Sequence, residues 1–243
     1  MTEVRAQQER PPLPMPILLS FVAGYVDSYT YLTLFGLFVA QVTSSFVVAG
    51  AEVVTHDYNI AAKVLVVVVF VVAAALTAAL IGIARDKDRA ALPLMLALEA
   101  LLLAVFTAML IFGPPVRTAT DWHGIVAGLF AAAAMGTQSV LVRLLMKGIP
   151  QTNVMTGNMT QLGITTTELI LAWRRYTSSR RGAAAVREFE DVRGQLLIVL
   201  AVALGFLLGA ASGAVAFAVI GITGALVSVA VVGGLAVWTA THQ

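Results

Sequence analysis

The sequence predicts an all-α integral membrane protein: six transmembrane helices as two inverted three-helix repeats, each with a broken or re-entrant segment after its first helix. Three observations predict this. Of 243 residues, 59% are hydrophobic and 12% charged, where a water-soluble domain carries about 25% charge; mean hydropathy is +0.91. Long runs lack Asp, Glu, Lys and Arg: Ser28 to Ala51, Val64 to Ala84, Ala100 to Val116, Gly124 to Val142, and the whole stretch from Gly194 to Gln243. Most are near the roughly 20 residues that cross a bilayer as a helix. Finally, the two halves resemble each other.

Residues 1–14 are polar and proline-rich and read as a cytoplasmic tail. The first span runs from Met15 to Ala40. Two arginines precede it, as in a signal peptide, but the apolar run continues past Asp27 for a full crossing. Further spans follow at Ile60 to Ala84, Ala91 to Phe112, Gly124 to Met146, Gln195 to Ala216 and Gly221 to Ala240, with Gly221 and Gly224 at the turn between the last two. Two shorter stretches, Val42 to Val54 and Val154 to Ala172, suit re-entrant or broken helices. The first repeat therefore occupies 15–115 and the second 123–240, with a cytoplasmic loop at 174–193 read as a solvated amphipathic stretch.

Placing both termini in the cytoplasm puts nearly all Lys and Arg inside, leaving Lys63 and Arg117 outside. The basic residues thus report topology. With a net charge of +2 they form no separate basic domain, so no nucleic-acid partner is expected.

Superposing Gly24 on Gly136 also superposes Gly36 on Gly148 and, one inserted residue later, Val42-Thr43-Ser44-Ser45 on Met155-Thr156-Gly157-Asn158. Ala74, Ala78 and Gly82 match Gly205, Gly209 and Gly213, both ladders of small residues suited to close helix packing. Three crossings per half invert the second half relative to the first. Chance likeness among Ala/Gly-rich helices is the competing explanation.

Asp27 sits near the middle of the first span, where an ionised carboxylate costs at least about 2.5 to 3.5 kcal/mol. Its helical stripe is Ser20, Gly24, Asp27 and Tyr31; the second copy reads Ala132, Gly136, Ser139 and Arg143. If the stripes meet, Asp27 approaches Gln138, Ser139 or Arg143 at a central site. The functional reading is a proton- or cation-binding carboxylate; the alternative is interhelical glue. Glu99 is a second intramembrane acid and a candidate coupling group, or else a side chain reaching toward the interface near Arg89. Arg143 could equally anchor the cytoplasmic end of its span. Thr156-Gly157-Asn158 fits a broken helix that exposes backbone to a ligand, or an ordinary helix cap. Candidate substrate- or ion-binding residues are thus Asp27, Tyr31, Thr43, Gln138, Ser139, Thr156, Gly157 and Asn158, with Glu99 and Arg143 for coupling.

No enzyme signature is found: His56, His123 and His242 are far apart, and Gly209-Ala210-Ala211-Ser212-Gly213 lacks the context of a nucleophile elbow. The absence of cysteine excludes disulfides, thiolate metal sites and a cysteine nucleophile. No metal or cofactor is expected.

Gly136-Thr137-Gln138-Ser139, Leu141-Val142-Arg143, Thr152, Met155-Thr156-Gly157-Asn158 and Leu162-Gly163 resemble the second-half signature of the YoaK-like bacterial membrane proteins, and Phe21-Val22-Ala23-Gly24-Tyr25-Val26-Asp27 resembles their opening signature. The family commonly repeats Met-Thr-Gly-Asn in the first half, where this chain has Val42-Thr43-Ser44-Ser45, and often has Asn where Ser139 stands. The resemblance implies a multi-pass protein of the bacterial inner membrane and supplies no activity. Together, these readings suggest a small permease coupled to protons or cations, with the bilayer and a small solute or ion as partners. A non-transporting accessory or assembly subunit, using the small-residue faces for partner helices, is the alternative, and a homo-oligomer is one of the partners open to either.

Overall fold

A computed structural model describes residues 14–55, 60–86, 90–178 and 183–242. They form α1 (Pro14–Thr33), α2 (Val42–Thr55), α3 (Ile60–Asp86), α4 (Ala91–Phe112), α5 (Trp122–Leu145), α6 (Met155–Ser178) and α7 (Ala183–Ile220), then a 3-10 turn (Gly221–Ala225) and α8 (Leu226–Thr241). Four helical stretches are long and apolar enough to cross a membrane: α3, α4, α5 and the combined α7–α8 run Ala184–Thr241. Arg89 and His56, named above, lie outside the described residues, as does the tail up to residue 13.

The first helix is shorter than the sequence suggests. It stops at Thr33, not Ala40, because Phe35 and Gly36 take positive φ of 54° and 81° and Gly36 N–H turns back to the Tyr31 carbonyl. Its counterpart Gly148, just beyond α5, has φ of 78°. The chain then re-enters the fold as an irregular segment, 34–41, before α2 begins. Likewise α6 is an unbroken 24-residue helix. The irregular backbone lies before α2 and α6 rather than inside them. The 174–193 segment is a further difference: it is helical on both sides of 179–182, α6 running on to Ser178 and α7 starting at Ala183. Arg175 pairs with Glu188 and Tyr176 stacks on Phe189 across that connection. Both charged partners are exposed, so the pair adds little stability.

Helix directions follow from named contacts. Gly205, Gly209 and Gly213 of α7 lie against the carbonyls of Ile17, Phe21 and Tyr25, so α1 and α7 run parallel at backbone contact. Gly136 lies against Phe70 and Ala74, Thr77 donates to Thr137 Oγ1, and Arg85 reaches the Leu144 carbonyl, so α3 and α5 are also parallel. Gln138 meets α1 at Leu19 whereas Gly124 and Gly128 meet Leu34, so α1 and α5 are antiparallel. The α4–α5 pair is antiparallel too, with His123 against the Met109 carbonyl.

Gly24 and Gly136 make matching approaches. An added Cβ on Gly24 would meet Phe206 O and Ala210 N; one on Gly136 would meet Phe70 O and Ala74 N. This pairs Phe70 with Phe206 and Ala74 with Ala210, five residues away from the ladder alignment that the sequence suggests. Gly82, expected in a packing ladder, faces open space. The run from α7 into α8 breaks at Gly221, whose φ is 59°. Tyr29 and Tyr25 hydroxyls hold the turn by donating to the Gly221 and Gly224 carbonyls, and α8 packs on α4 and α1. Outside the helices, the exposed Asp121 accepts from Arg117 N–H, Thr118 N–H and Thr118 Oγ1, which hold its carboxyl below the usual range.

Candidate functional site

Two polar centres form where α2 and α6 begin, each beside the second half of the helix that precedes it. In the first, Asp27 of α1 is buried and its carboxylate takes three backbone N–H groups. Oδ1 accepts from Val39 at 2.8 Å and Ala40 at 2.7 Å, and Oδ2 accepts from Gln41 at 3.0 Å. These groups belong to the segment leading into α2, where a helix's positive end and orphan donors favour a negative charge. Asp27 therefore acts as the anchor of the irregular segment 34–41. Tyr31 lies beside it, half exposed with its ring 5.1 Å from Phe38, and both line an open groove of about 250 Å³ with Gly24, Gln41 and Phe206.

In the second centre the anchor is neutral. Gln138 Nε2 donates to the Leu19 carbonyl at 2.9 Å and to Thr152 Oγ1 at 2.8 Å. Ser20 bridges the Thr152 and Val202 carbonyls, and Asn158 Nδ2 holds the Gln151 carbonyl at 2.7 Å. Residues 148–153 are thereby fixed against α1 and α7. Gly148, Ile149 and Pro150, with Gly157, Asn158, Gln161 and Gln195, line a cavity of about 290 Å³. Elsewhere, Leu34, Phe35 and Leu37, the start of α3 at Ala62 and Lys63, and the 116–125 stretch surround a space of only about 10 Å³, which no residue of α2 lines.

Asp27's bonds go to Val39, Ala40 and Gln41, and Gln138 meets α1 eight residues before Asp27, so the structure places these two candidates in separate centres. Ser139 is half-buried on α5, and Arg143 is exposed in its last turn. Thr43 and Thr156 are exposed in the first turns of α2 and α6, while Gly157 and the buried Asn158 face the cavity. Glu99 is wholly buried, and neither of its oxygens has a hydrogen-bond partner. It does not reach toward an interface.

One buried pair has no forerunner in the sequence reading. Lys63 of α3 and Glu52 of α2 meet at 2.5 Å with both side chains nearly inaccessible. The signal was present: one charge on each side of a short connection, each otherwise surrounded by apolar residues. Lys63→Met alone is expected to destabilise the protein by about 3–5 kcal/mol by stranding Glu52, and Glu52→Leu/Lys63→Met to recover most of that. Thermal unfolding in detergent checks the cycle.

Among the described residues no three His, Cys, Asp or Glu side chains gather in a way that could hold a metal ion. Neither a curated protein nor a solved structure matches the chain. A family described as "Protein of unknown function (DUF1275)" matches residues 15–238, nearly the full length. The chain belongs to that family.

Proposed function

We propose that this protein is a small inner-membrane permease of 3+3 inverted topology, with both termini cytoplasmic. The observation that carries the reading is the cavity of about 290 Å³ that the irregular backbone at Gly148, Ile149 and Pro150 lines together with the start of α6. Irregular backbone inside a membrane is tolerated where it is packed in protein or lines a cavity, and helices that begin at mid-depth build the sites of many inverted-repeat transporters. The antiparallel α1 and α5, the parallel pairs α1–α7 and α3–α5, and the matching approaches at Gly24 and Gly136 support the inversion. In this reading the cavity beside α6 opens to the cytoplasm, and transport exchanges the open and closed arrangements of the two halves.

Flux in proteoliposomes tests it. Purified protein with an imposed proton or sodium gradient is expected to move at least one class of small solute faster than empty liposomes. If no solute moves and the protein co-purifies stoichiometrically with another membrane protein, the accessory-subunit reading replaces this one.

A further inference from the structure

We propose that Glu99 is a buried proton-binding site, and that its proton is the coupling ion of the permease; the second clause rests on the reading above, the first does not. Glu99 is the one acid of α4, fully buried where α4 packs between α5 and α8. A carboxylate has about four lone-pair sites, and nothing donates to either of its oxygens. An ion left this way without a compensating positive partner costs several kcal/mol, a large share of the net free energy that holds a folded chain together.

Among the described residues no side chain at that level supplies one. The Met109–His123 contact sets the register of α4 against α5. From it, Glu99 lies ten residues down one helix, about 15 Å, and Met135 twelve along the other, about 18 Å. On α5 the titratable groups are His123 at the start and Arg143, exposed, in the last turn. On α3, Lys63 is paired with Glu52 near one end, while Arg85 and Asp86 lie at the other. The 3-10 turn and α8 carry no charged residue.

Further unmatched acceptors lie along α5 and the segment before α6. Asn153, 2% exposed, donates toward the Met135 carbonyl while its Oδ1 has no partner. Gln138, one turn on, spends both amide hydrogens on Leu19 and Thr152 and leaves Oε1 without a donor. Gln151 Oε1 is likewise unmatched. Glu99 itself, wholly buried with neither a donor nor a cation beside it, fits a carboxyl that keeps its proton.

Asp27 does not fit this role, because three backbone donors already satisfy its charge. The two acids divide the work: one fixes backbone, the other holds a proton.

Infrared difference spectroscopy of the full-length protein in nanodiscs tests the site without any solute. At mildly alkaline pH, where exposed carboxyls are ionised, the wild type is expected to show a protonated-carboxyl C=O band that shifts in heavy water. Glu99→Gln should abolish the band, and Glu188→Gln, at an exposed position, should leave it. Glu99→Gln keeps shape and neutrality, so gel filtration should give the wild-type profile. A band that survives Glu99→Gln, or no band in the wild type, overturns the proposal. So does a band that sodium abolishes, which would make Glu99 a sodium ligand. Because these readouts involve no flux, a failed transport assay leaves the proton site standing, and a missing band leaves the permease reading standing.

Discussion

Asp27→Ala is expected to destabilise the protein by at least about 3 kcal/mol, because it strands three buried backbone N–H groups at Val39, Ala40 and Gln41. Each unpaired buried donor costs about 1–3 kcal/mol, and bonds to a charged acceptor are worth more than neutral ones. The loss should be local first: amide exchange of residues 34–41 and the start of α2 rises before global unfolding. Asp27→Asn should fall between, since its amide oxygen still accepts from Val39 and Ala40 while its NH2 faces the Gln41 N–H. Thermal unfolding in detergent and hydrogen exchange check both. An Asp27→Ala protein as stable and protected as wild type would show that the segment holds itself.

Gly209→Ala should be comparably severe. Its new Cβ would sit 2.0 Å from the Phe21 carbonyl oxygen and 2.7 Å from the carbonyl carbon, both backbone atoms that no rotamer change can move. The helices must separate, and separation also loosens the Gly205 and Gly213 contacts on the same face. Overpacking typically costs about 1–3 kcal/mol, and a clash with backbone belongs at the upper end. Gly82→Ala and Gly163→Ala are the contrast: an added methyl meets nothing, and helix propensity favours alanine by up to about 1 kcal/mol. Melting temperatures should therefore fall for Gly209→Ala and hold or rise for the other two.

Much of the fold is legible in the sequence because lipid imposes simple rules. The scarcity of charge marks the helices, and the Gly205-Gly209-Gly213 ladder marks the surface that α1 meets. Gly36 and Gly148 are legible as corresponding positions, and both end a helix in the left-handed conformation. Asp27 stands out because its burial demands a partner. The partner itself is hidden: Leu37-Phe38-Val39-Ala40 is as apolar as any helix, so nothing in its composition separates an irregular segment packed in protein from another turn of α1. The α3 register is ambiguous for a similar reason. Small residues recur along Ala73-Ala74-Ala75 and Ala78-Ala79, so several alignments with α7 satisfy the same spacing, and only the backbone contacts at Gly24 and Gly136 choose one. Glu52 and Lys63 remained unpaired on paper because sequence separates them by a connection, and Lys63 alone reads as a topology marker. Glu99 is visible as a buried acid, but its lack of any donor is a property of three dimensions.

Inversion of the two halves is tested most directly by single-cysteine labelling, for which the chain is well suited because it contains no cysteine of its own. Thr43→Cys and Gly157→Cys place one thiol in the exposed first turn of α2 and one in that of α6. In intact cells and in inverted membrane vesicles, a membrane-impermeant maleimide should reach Cys at 43 only from the outer face and Cys at 157 only from the cytoplasmic face. Labelling of both positions from the same face would contradict the inverted arrangement and, with it, the permease built on it.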